Sequence, residues 1–361
     1  MVTAVTSMSN YLHGEETSLY HFTIFNPFNY IPLRLLSFFF GISTRFWHQI
    51  VVPMYASSFL STHLSFIPAS ILPIIDEIIS LQPDRIPLLS TWTQTSVDVF
   101  QRMTEGTIVK TSSCVEKVHI RQTSDGQTCV TINDEPTTYD RIIFACNSEA
   151  ILNALVKGKT SISRLLHLML TSVNYAEDEN DINLLDGMIH HDLTVFPSDY
   201  QEELRKHYAN YIDVQYDEIN KEFFHYNTFI LSSWLPNVRL LMKENQISDK
   251  ELEPMLVTYA RQDKIQPNID PMKIVGYVNN RRAHPSLSFR NQTIALLARL
   301  IQGEKGMYFC GTMVTPANGH ELSLNSGFAV AEMIGARYPF MNDSSSFRDY
   351  LRFKRMCIDS I

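Results

Sequence analysis

The stretch Gly306–Arg337, GMYFCGTMVTPANGHELSLNSGFAVAEMIGAR, decides the fold class of this chain. Met307–Gly311 predicts a buried strand that ends on a glycine, and Leu324–Ala336 predicts a helix with small residues on one face. In α/β proteins, ligands bind beyond the carboxyl ends of strands, and free N–H groups at a helix start attract electron-rich oxygens. The stretch therefore predicts a ligand site near Glu321–Ser323, although an ordinary strand–loop–helix connection fits the pattern as well.

Residues 107–148 predict a series of strands followed by a helix. Four stretches have strand character, the last with a continuous apolar run typical of a strand covered on both faces: Thr107–Lys110, Val115–Ile120, Thr128–Ile132 and Tyr139–Cys146. Ser124-Asp125-Gly126 is a hairpin-turn signal between the second and third stretches. Ser148 is predicted to cap the helix that follows.

The rest of the chain mixes helices and strands. Residues 1–90 read as mostly helical with proline breaks, and Thr95-Ser96 begins a helix that Gly106 ends. Further helices are predicted at Ser43–Leu60, around Pro53, and at Phe289–Gln302, which is amphipathic. Three further strands are predicted at Gly187–His191, Thr228–Trp234 and Met255–Ala260. The order indicates a mixed α/β fold with some parallel-sheet character.

Composition excludes several classes of protein. The 361 residues are 45% hydrophobic and 19% charged, which is typical of a globular chain with a substantial core. Lys+Arg is 30 and Asp+Glu is 38, and this net charge of −8 argues against nucleic-acid binding. Five cysteines without CxxC spacing exclude a disulfide scaffold and the usual zinc patterns, so no metal is expected. A reducing compartment and the absence of a secretory signal pattern predict a cytoplasmic location.

Two apolar stretches lie in the first quarter of the chain, at Phe25–Ser43 and Phe66–Leu81. Prolines and polar residues interrupt both, whereas a membrane-spanning helix needs about 20 apolar residues. We expect buried helices in both stretches. Contact with a membrane surface or with a lipid-like substrate is the alternative interpretation.

Several motifs in the right order resemble those of one family. Phe309-Cys310-Gly311, Gly319-His320-Glu321 and Ser326–Glu332 resemble the carboxyl-terminal cofactor motif of the flavin-containing amine oxidase superfamily, and most closely its bacterial-type NAD/FAD-binding members. Four further matches precede or separate these motifs: Arg45–Met54, Thr107–Val115 with Tyr139–Ala145, Ile189–Pro197, and Trp234 with His284-Pro285. The resemblance spans roughly residues 43–340 and implies an FAD cofactor.

The resemblance assigns seven positions to the flavin. Val115 matches the adenine contact, and Ala145 and Cys146 match the strand end beside the dinucleotide. Gly311 and Thr312 match the turn at the pyrophosphate and ribityl chain. Glu321 and Leu322 match the helix start near the isoalloxazine carbonyl. A helix start is a suitable place to stabilise the negative charge that a reduced flavin gathers.

Four more residues are assigned to the reaction. His190 matches the position of a lysine that reaches flavin N5 through water in amine oxidases, which implies proton handling and argues against classical amine oxidation. Asp192 shares a strand face with His190, and Trp234 and His284 match positions that line the substrate pocket. For His190 and Asp192 the alternatives are a His190-His191-Asp192 metal site without an identifiable third ligand, or a polar pair at a domain interface. For Trp234 the alternative is a core residue, and for His284 it is a turn residue.

The family's opening strand–GxGxxG–helix unit is not found in this sequence, because no two of its 13 glycines stand in G-x-G spacing. We therefore expect a Rossmann-like FAD/NAD(P)-binding domain truncated at its N-terminus, with an interleaved helical and sheet substrate domain. The predicted substrate domain comprises the helices of residues 1–90 and the sheet and helices of residues 161–288. The predicted FAD-binding domain comprises the strands of residues 91–160 and the C-terminal segment 289–340, and residues 341–361 form a tail.

The predicted activity is hydride transfer from an unidentified, hydrophobic small-molecule substrate to FAD. Binding of FAD by this chain alone is in question, since half of the expected site is missing. Two alternatives stay open: a non-catalytic remnant or binding module, and a split enzyme in which a partner chain supplies the dinucleotide-binding half.

Overall fold

A computed structural model describes residues 28, 30–53, 68–69, 94–175, 185–207, 210–235, 238, 240, 243–245, 254–261, 267–279, 285–316 and 319–354. Over these residues the chain is a mixed α/β protein with three sheets. None of the helices among them is long and apolar enough to span a membrane. The predicted mixed α/β class is confirmed, whereas a Rossmann domain is not shown.

The described part of the chain contains runs of helices and runs of strands. The helices are α1 (Leu33–Phe39), α2 (Thr44–Phe46, continued by a π-helical turn at Trp47–Val51), α3 (Ser96–Met103), α4 (Ser148–Lys157), α5 (Arg164–Ser172), α6 (Gln201–His207), α7 (Leu231–Trp234), α8 (Phe289–Leu297), α9 (His320–Met333) and α10 (Ser344–Lys354). The strands are β1 (Val118–Gln122), β2 (Thr128–Ile132), β3 (Thr138–Tyr139), β4 (Ile142–Phe144), β5 (Leu185–His190), β6 (Asn210–Asp217), β7 (Glu222–Ile230), β8 (Leu256–Arg261), β9 (Ile274–Asn279) and β10 (Met307–Phe309).

The hairpin predicted at Ser124–Gly126 is confirmed. Strands β1 and β2 pair antiparallel from Val118↔Ile132 to Gln122↔Thr128, and β3 adds to β2. The turn closes where the Gly126 N–H donates to the Thr123 carbonyl oxygen at 3.0 Å, with Gly126 at φ 81°, a conformation that favours glycine. The strand predicted at Thr107–Lys110 is wrong: this segment has no regular structure, and Ile108 is 94% exposed.

Strands β4 and β10 form a parallel pair. The register runs from Met307↔Ile142 to Phe309↔Phe144, and the two phenylalanine rings stack with centroids 5.6 Å apart. Their shared face packs into a core with α4, α5, α8 and the first hairpin, which includes the buried residues Val118, Val130, Ile151, Leu155, Leu166, Met169, Ile294, Ile301 and Met307. The opposite face is open, since Ile143 is 45% exposed. The prediction of a strand covered on both faces is therefore wrong.

Helix starts follow the expected capping chemistry with one shift. Thr95 caps α3 through a reciprocal capping box with Asp98, as the Thr95-Ser96 start predicts. The cap predicted at Ser148 is wrong by one residue, because Asn147 is the N-cap of α4. The Ser148 backbone N–H instead donates to the Tyr175 hydroxyl at 2.6 Å.

The largest sheet is antiparallel, with the order β6-β7-β8-β5-β9. The strands predicted at Gly187–His191 and Met255–Ala260 are confirmed to within a few residues. The strand predicted at Thr228–Trp234 is wrong beyond Ile230, where the ladder with Leu256 ends and α7 begins. At that point the Leu231 N–H donates to the Met255 carbonyl oxygen at 2.9 Å, which turns the chain off the sheet.

Two glycines offer a test of the packing between β1 and α4. A Cβ on Gly158, at the C-terminus of α4, would overlap the Val118 carbonyl oxygen, whereas a Cβ on Gly327, inside α9, would meet nothing within 4 Å. We expect Gly158→Ala to lower the free energy of unfolding by about 3 kcal/mol. Gly327→Ala is the control and should raise it by about 0.5–1 kcal/mol, since alanine favours a helix interior. Chemical denaturation measures both, and equal stabilities of the two variants would contradict the close approach.

Candidate functional site

The carboxyl ends of β4 and β10 meet at one edge, because the two strands are parallel. Ala145 and Cys146 follow β4 and are exposed, and Gly311 and Thr312 follow β10 and are half-buried. Four of the seven residues predicted to contact a flavin therefore lie together. We call these four residues the strand-end edge.

Gly311 gives this edge its backbone geometry. Its φ of 86° and ψ of −170° fall in a region essentially restricted to glycine. Its N–H donates to Ser326 Oγ at 2.8 Å, and that hydroxyl donates to the Ser323 carbonyl oxygen at 2.6 Å. An added Cβ would meet nothing within 4 Å. The glycine thus joins the strand end to α9 and leaves open space beside its backbone.

Helix α9 begins next to this edge. Its N-cap is Gly319, a residue with no side chain to cap the first turn. Glu321 is exposed and Leu322 is half-buried, as the first-turn residues of α9. The ring of Phe100 on α3 lies 6.4 Å from that of His320, so α3 also reaches the start of α9.

The motif comparison predicts Val115 at the start of a strand, and this prediction is wrong. Val115 lies on an exposed segment three residues before β1, and it is 48% exposed. Asn133 holds the neighbouring backbone: its Oδ1 accepts from the Glu116 and Lys117 N–H groups at 2.8 and 3.0 Å. Whether Val115 contacts a ligand stays a prediction.

Two thiols lie at the strand-end edge: Cys146 belongs to it, and Cys310 precedes Gly311. Desolvation raises the pKa of the half-buried Cys310 thiol, to which the charge of Cys146 adds, and it raises the pKa of Cys146, whose sulfur is partly shielded although the residue as a whole is exposed. Both thiols therefore stay neutral at pH 7, and they are poor nucleophiles. They act as small apolar groups beside the open space at Gly311.

His190 lies in another sheet, at the end of β5, and is fully buried. Its Nδ1 accepts from the Asp192 backbone N–H at 3.1 Å, so the neutral ring carries its proton on Nε2 and donates to Thr258 Oγ1 at 2.8 Å. Burial lowers the pKa of His190 to about 4, against the opposing effect of the Asp192 charge. The predicted proton-handling role is thus untested, and both ring nitrogens are already bonded within the protein.

Asp192 is a buried hub between β5 and β9. Its Oδ1 accepts from the Thr194 N–H at 3.1 Å and from Lys273 Nζ at 3.0 Å, and its Oδ2 accepts from the Asp270 N–H at 2.8 Å. Burial raises the pKa of this carboxyl, but the hydrogen bonds from Asp270, Thr194 and Lys273 outweigh burial and lower it to about 2. The predicted placement of Asp192 in a substrate pocket stays untested.

The two remaining predicted site residues are Trp234 and His284. Trp234 is the last residue of α7. His284 lies outside the described residues. Among the described residues, no cluster of three or more His, Cys, Asp or Glu side chains could hold a metal ion.

Sequence reasoning missed a cavity of about 210 Å³ on the five-stranded sheet. Its lining comes from β6, β7, β8 and two loops: Thr194, Val195, Tyr211, Asp213, Gln215, Tyr226, Thr228, Thr258, Pro267 and Asn268. The alternation of Tyr211, Asp213 and Gln215 on β6 was the available signal, since period-2 polar residues share one face of a strand. The residues that close the cavity from other strands and loops carry no such signal.

The buried pair at the end of β5 predicts a pH dependence of stability. The pKa of His190 falls from 6.5 unfolded to about 4 folded, so the unfolded chain binds more protons between these values. Lowering the pH from 6.5 to 4 should therefore cost roughly 2 kcal/mol of folding free energy through this residue. Asp192 adds a loss only below its ordinary pKa of 3.8.

Denaturation across this pH range measures the effect, with His190→Gln as the non-titrating comparison. The variant should show a shallower loss of stability from pH 6.5 to 4. The same slope in both proteins would contradict the assignment.

Comparison with known proteins gives little to identify the chain. A solved structure described as a CLA-producing fatty acid isomerase from P. acnes has a TM-score of 0.48 and 12% sequence identity to it, over 92% of this chain and 74% of that one. No protein-family profile matches the chain, and no curated protein matches it in sequence.

Proposed function

We propose that this chain supplies the ring end of an FAD site in an oxidoreductase that transfers a hydride from a hydrophobic substrate to the flavin. The observation that carries the proposal is the strand-end edge, where Gly311 keeps open space beside its backbone and is joined to α9 through Ser326. The motif resemblance at Phe309–Gly311 and Ser326–Glu332 supports the same assignment.

The residues present fit the ring-bearing half of the cofactor. Gly311 and Thr312 would hold the ribityl chain rather than the pyrophosphate that the resemblance also implies, because the Gly311 N–H is engaged by Ser326 Oγ. Ala145 and Cys146 would lie beside it at the neighbouring strand end, with Glu321 and Leu322 next to the ring at the start of α9. When bound, a flavin supplies the hydride acceptor. The positive end of the α9 dipole would stabilise negative charge on the ring, and the neutral thiols would lie beside it.

The phosphate half of the site is assigned to other polypeptide. Pyrophosphate binding in dinucleotide folds uses a glycine-rich turn and a helix N-terminus, and the 361 residues hold no G-x-G pair. The Gly311 N–H is also engaged by Ser326 Oγ. In this proposal a partner chain or adjoining sequence donates the phosphate contacts, and Val115 would lie near the adenine.

A hydrophobic substrate is proposed from the apolar surface of α1. Phe38 and Phe39 are each 73% exposed, and Leu35 is 47% exposed. Contiguous exposed apolar side chains mark a binding surface more often than chance exposure does. The guanidinium of Arg34 stacks over the buried Trp47 ring at 5.3 Å and so fixes α1 on α2. An acyl chain, free or in a lipid surface, is the chemistry that fits this surface.

Flavin fragments test which half of the cofactor this chain binds. Riboflavin carries the ring and the ribityl chain, ADP carries the adenosine and the pyrophosphate, and FAD carries both halves. We expect quenching of flavin fluorescence with riboflavin and FAD at Kd values within about threefold of each other, less than 1 kcal/mol apart. ADP should not compete. Competition by ADP would contradict the proposal, and the absence of any flavin binding would favour a non-catalytic remnant.

A glycine pair separates the site from general stability. Gly311→Ala places a side chain in the open space at a strained φ, and should weaken riboflavin binding at least about tenfold. Gly126→Ala introduces a similar strain at φ 81° in the β1–β2 turn, also in open space. This control should lose comparable stability and keep its flavin affinity. Equal effects of the two variants on binding would exclude Gly311 from the site.

The substrate class is tested in the protein that carries bound FAD. Anaerobic bleaching of the flavin absorbance should be faster with long-chain acyl or isoprenoid compounds than with small polar amines. Phe38→Ser should slow bleaching by the apolar compounds, because it removes exposed apolar surface. Phe340→Ser, at an exposed phenylalanine beyond α9, is the control. Turnover of small polar amines alone would contradict a hydrophobic substrate.

A further inference from the structure

The cavity on the five-stranded sheet is a second candidate site, separate in the fold from the strand-end edge. Strands β6, β7 and β8 form its floor, and the segments at Thr194-Val195 and Pro267-Asn268 cover it. Its volume is about 210 Å³. That volume suits a ligand with a handful of non-hydrogen atoms.

Asp213 makes this cavity electronegative. It is the charged side chain among the described lining residues, which include no lysine, arginine or histidine. Gln215 Nε2 donates to Asp213 Oδ2 at 2.8 Å, and within the described structure no ion pair reaches the carboxylate. A half-buried carboxylate with one hydrogen bond still favours a cationic or hydrogen-bond-donating partner.

Two tyrosines reinforce the preference for a cation. Tyr226 is the cross-strand partner of Asp213, and Tyr211 lies two residues before Asp213 on the same face of β6. Burial, followed by the Asp213 charge, raises the pKa of Tyr226 to about 12 and raises that of Tyr211 in the same way. Both phenols stay protonated at pH 7. Neutral aromatic rings beside a carboxylate attract organic ammonium groups.

A hydroxyl donor also lines the cavity, because Thr228 is the cross-strand partner of Tyr211. Thr258 Oγ1 accepts from His190 Nε2 at 2.8 Å and lies 2.8 Å from Thr228 Oγ1. One of the two threonine hydroxyl hydrogens bridges this pair, and the other is left for the cavity, since both threonines line it. The buried histidine fixes this arrangement, because its Nδ1 is already held by the Asp192 N–H.

We propose that this cavity binds a small organic ammonium compound that also carries a neutral oxygen, such as a short amino alcohol. The ammonium group pairs with Asp213 between the two tyrosines, and the oxygen accepts from the Thr228–Thr258 pair. Asp213 pairs with Tyr226 and Thr228 pairs with Tyr211, so Asp213 and Thr228 are diagonal neighbours across β6 and β7, roughly 7–8 Å apart. The ligand is distinct from the hydrophobic substrate proposed above, and this assignment does not depend on flavin binding.

Calorimetric titration of the full chain tests the charge requirement. The probe is 3-amino-1-propanol, and 1,3-propanediol is its neutral counterpart. We expect the amine to bind with a Kd of about 1 mM or below and the diol to bind at least about tenfold more weakly. Asp213→Asn should reduce amine affinity at least about tenfold, whereas Glu218→Gln, an exposed acid on the neighbouring turn, should leave it unchanged.

A second variant tests the hydroxyl contact. Thr228→Val keeps the side-chain shape and removes the hydroxyl, so it should weaken 3-amino-1-propanol about three- to tenfold and leave n-propylamine, which lacks the oxygen, unaffected. Three outcomes would overturn the proposal: equal binding of amine and diol, unchanged affinity in Asp213→Asn, or no binding of the amine up to about 10 mM. Thermal unfolding of each variant confirms that the sheet is intact.

Discussion

The parallel pairing of β4 with β10 is the contact on which the candidate flavin site depends. Each strand has three residues, and such a short parallel pair has little stability of its own. The stacked rings of Phe144 and Phe309 bury one face of the pair against α4, α5 and α8, and this burial aligns the two strand ends. The opposite face of the pair, which carries Ile143, stays uncovered, and the strand ends and the open space beside Gly311 share one edge.

The five-stranded sheet is organised by a different interaction, the hydrogen-bond set around Asp192. Its carboxylate accepts hydrogen bonds from the Thr194 N–H, the Asp270 N–H and Lys273 Nζ. These bonds fix the loop that follows β5 and the loop that precedes β9. Those loops carry Thr194 and Asn268 into the cavity lining. A buried carboxylate with these partners is well satisfied, so it secures loop geometry rather than offering itself to a ligand.

Local chemistry explains which elements the sequence predicts. Ser124-Asp125-Gly126 closes a hairpin through residues within the turn itself, and Thr95 caps α3 through Asp98 three residues on. The end of β7 depends instead on the contact between the Leu231 N–H and the distant Met255 carbonyl, which no local pattern contains. The strand-end edge was predictable because motif order places Gly311 after a strand. The cavity was not, because Thr258 and Asn268 join β6 only in the folded sheet.

Unsatisfied polar groups indicate where the fold gives up stability. Among the described residues, the buried Gln292 on α8 has no hydrogen-bond partner for its Nε2 or its Oε1, and Arg299 Nε in the turn after α8 is also unpaired. Each such group costs about 1–3 kcal/mol relative to a paired one. One turn from Gln292, Leu296 packs against Ala329 of α9. These unpaired groups therefore lie one turn from the contact between α8 and α9, the helix that Gly311 ties to the strand-end edge. An apolar side chain of similar volume in place of Gln292 would remove the two unpaired groups and would be more stable at this position.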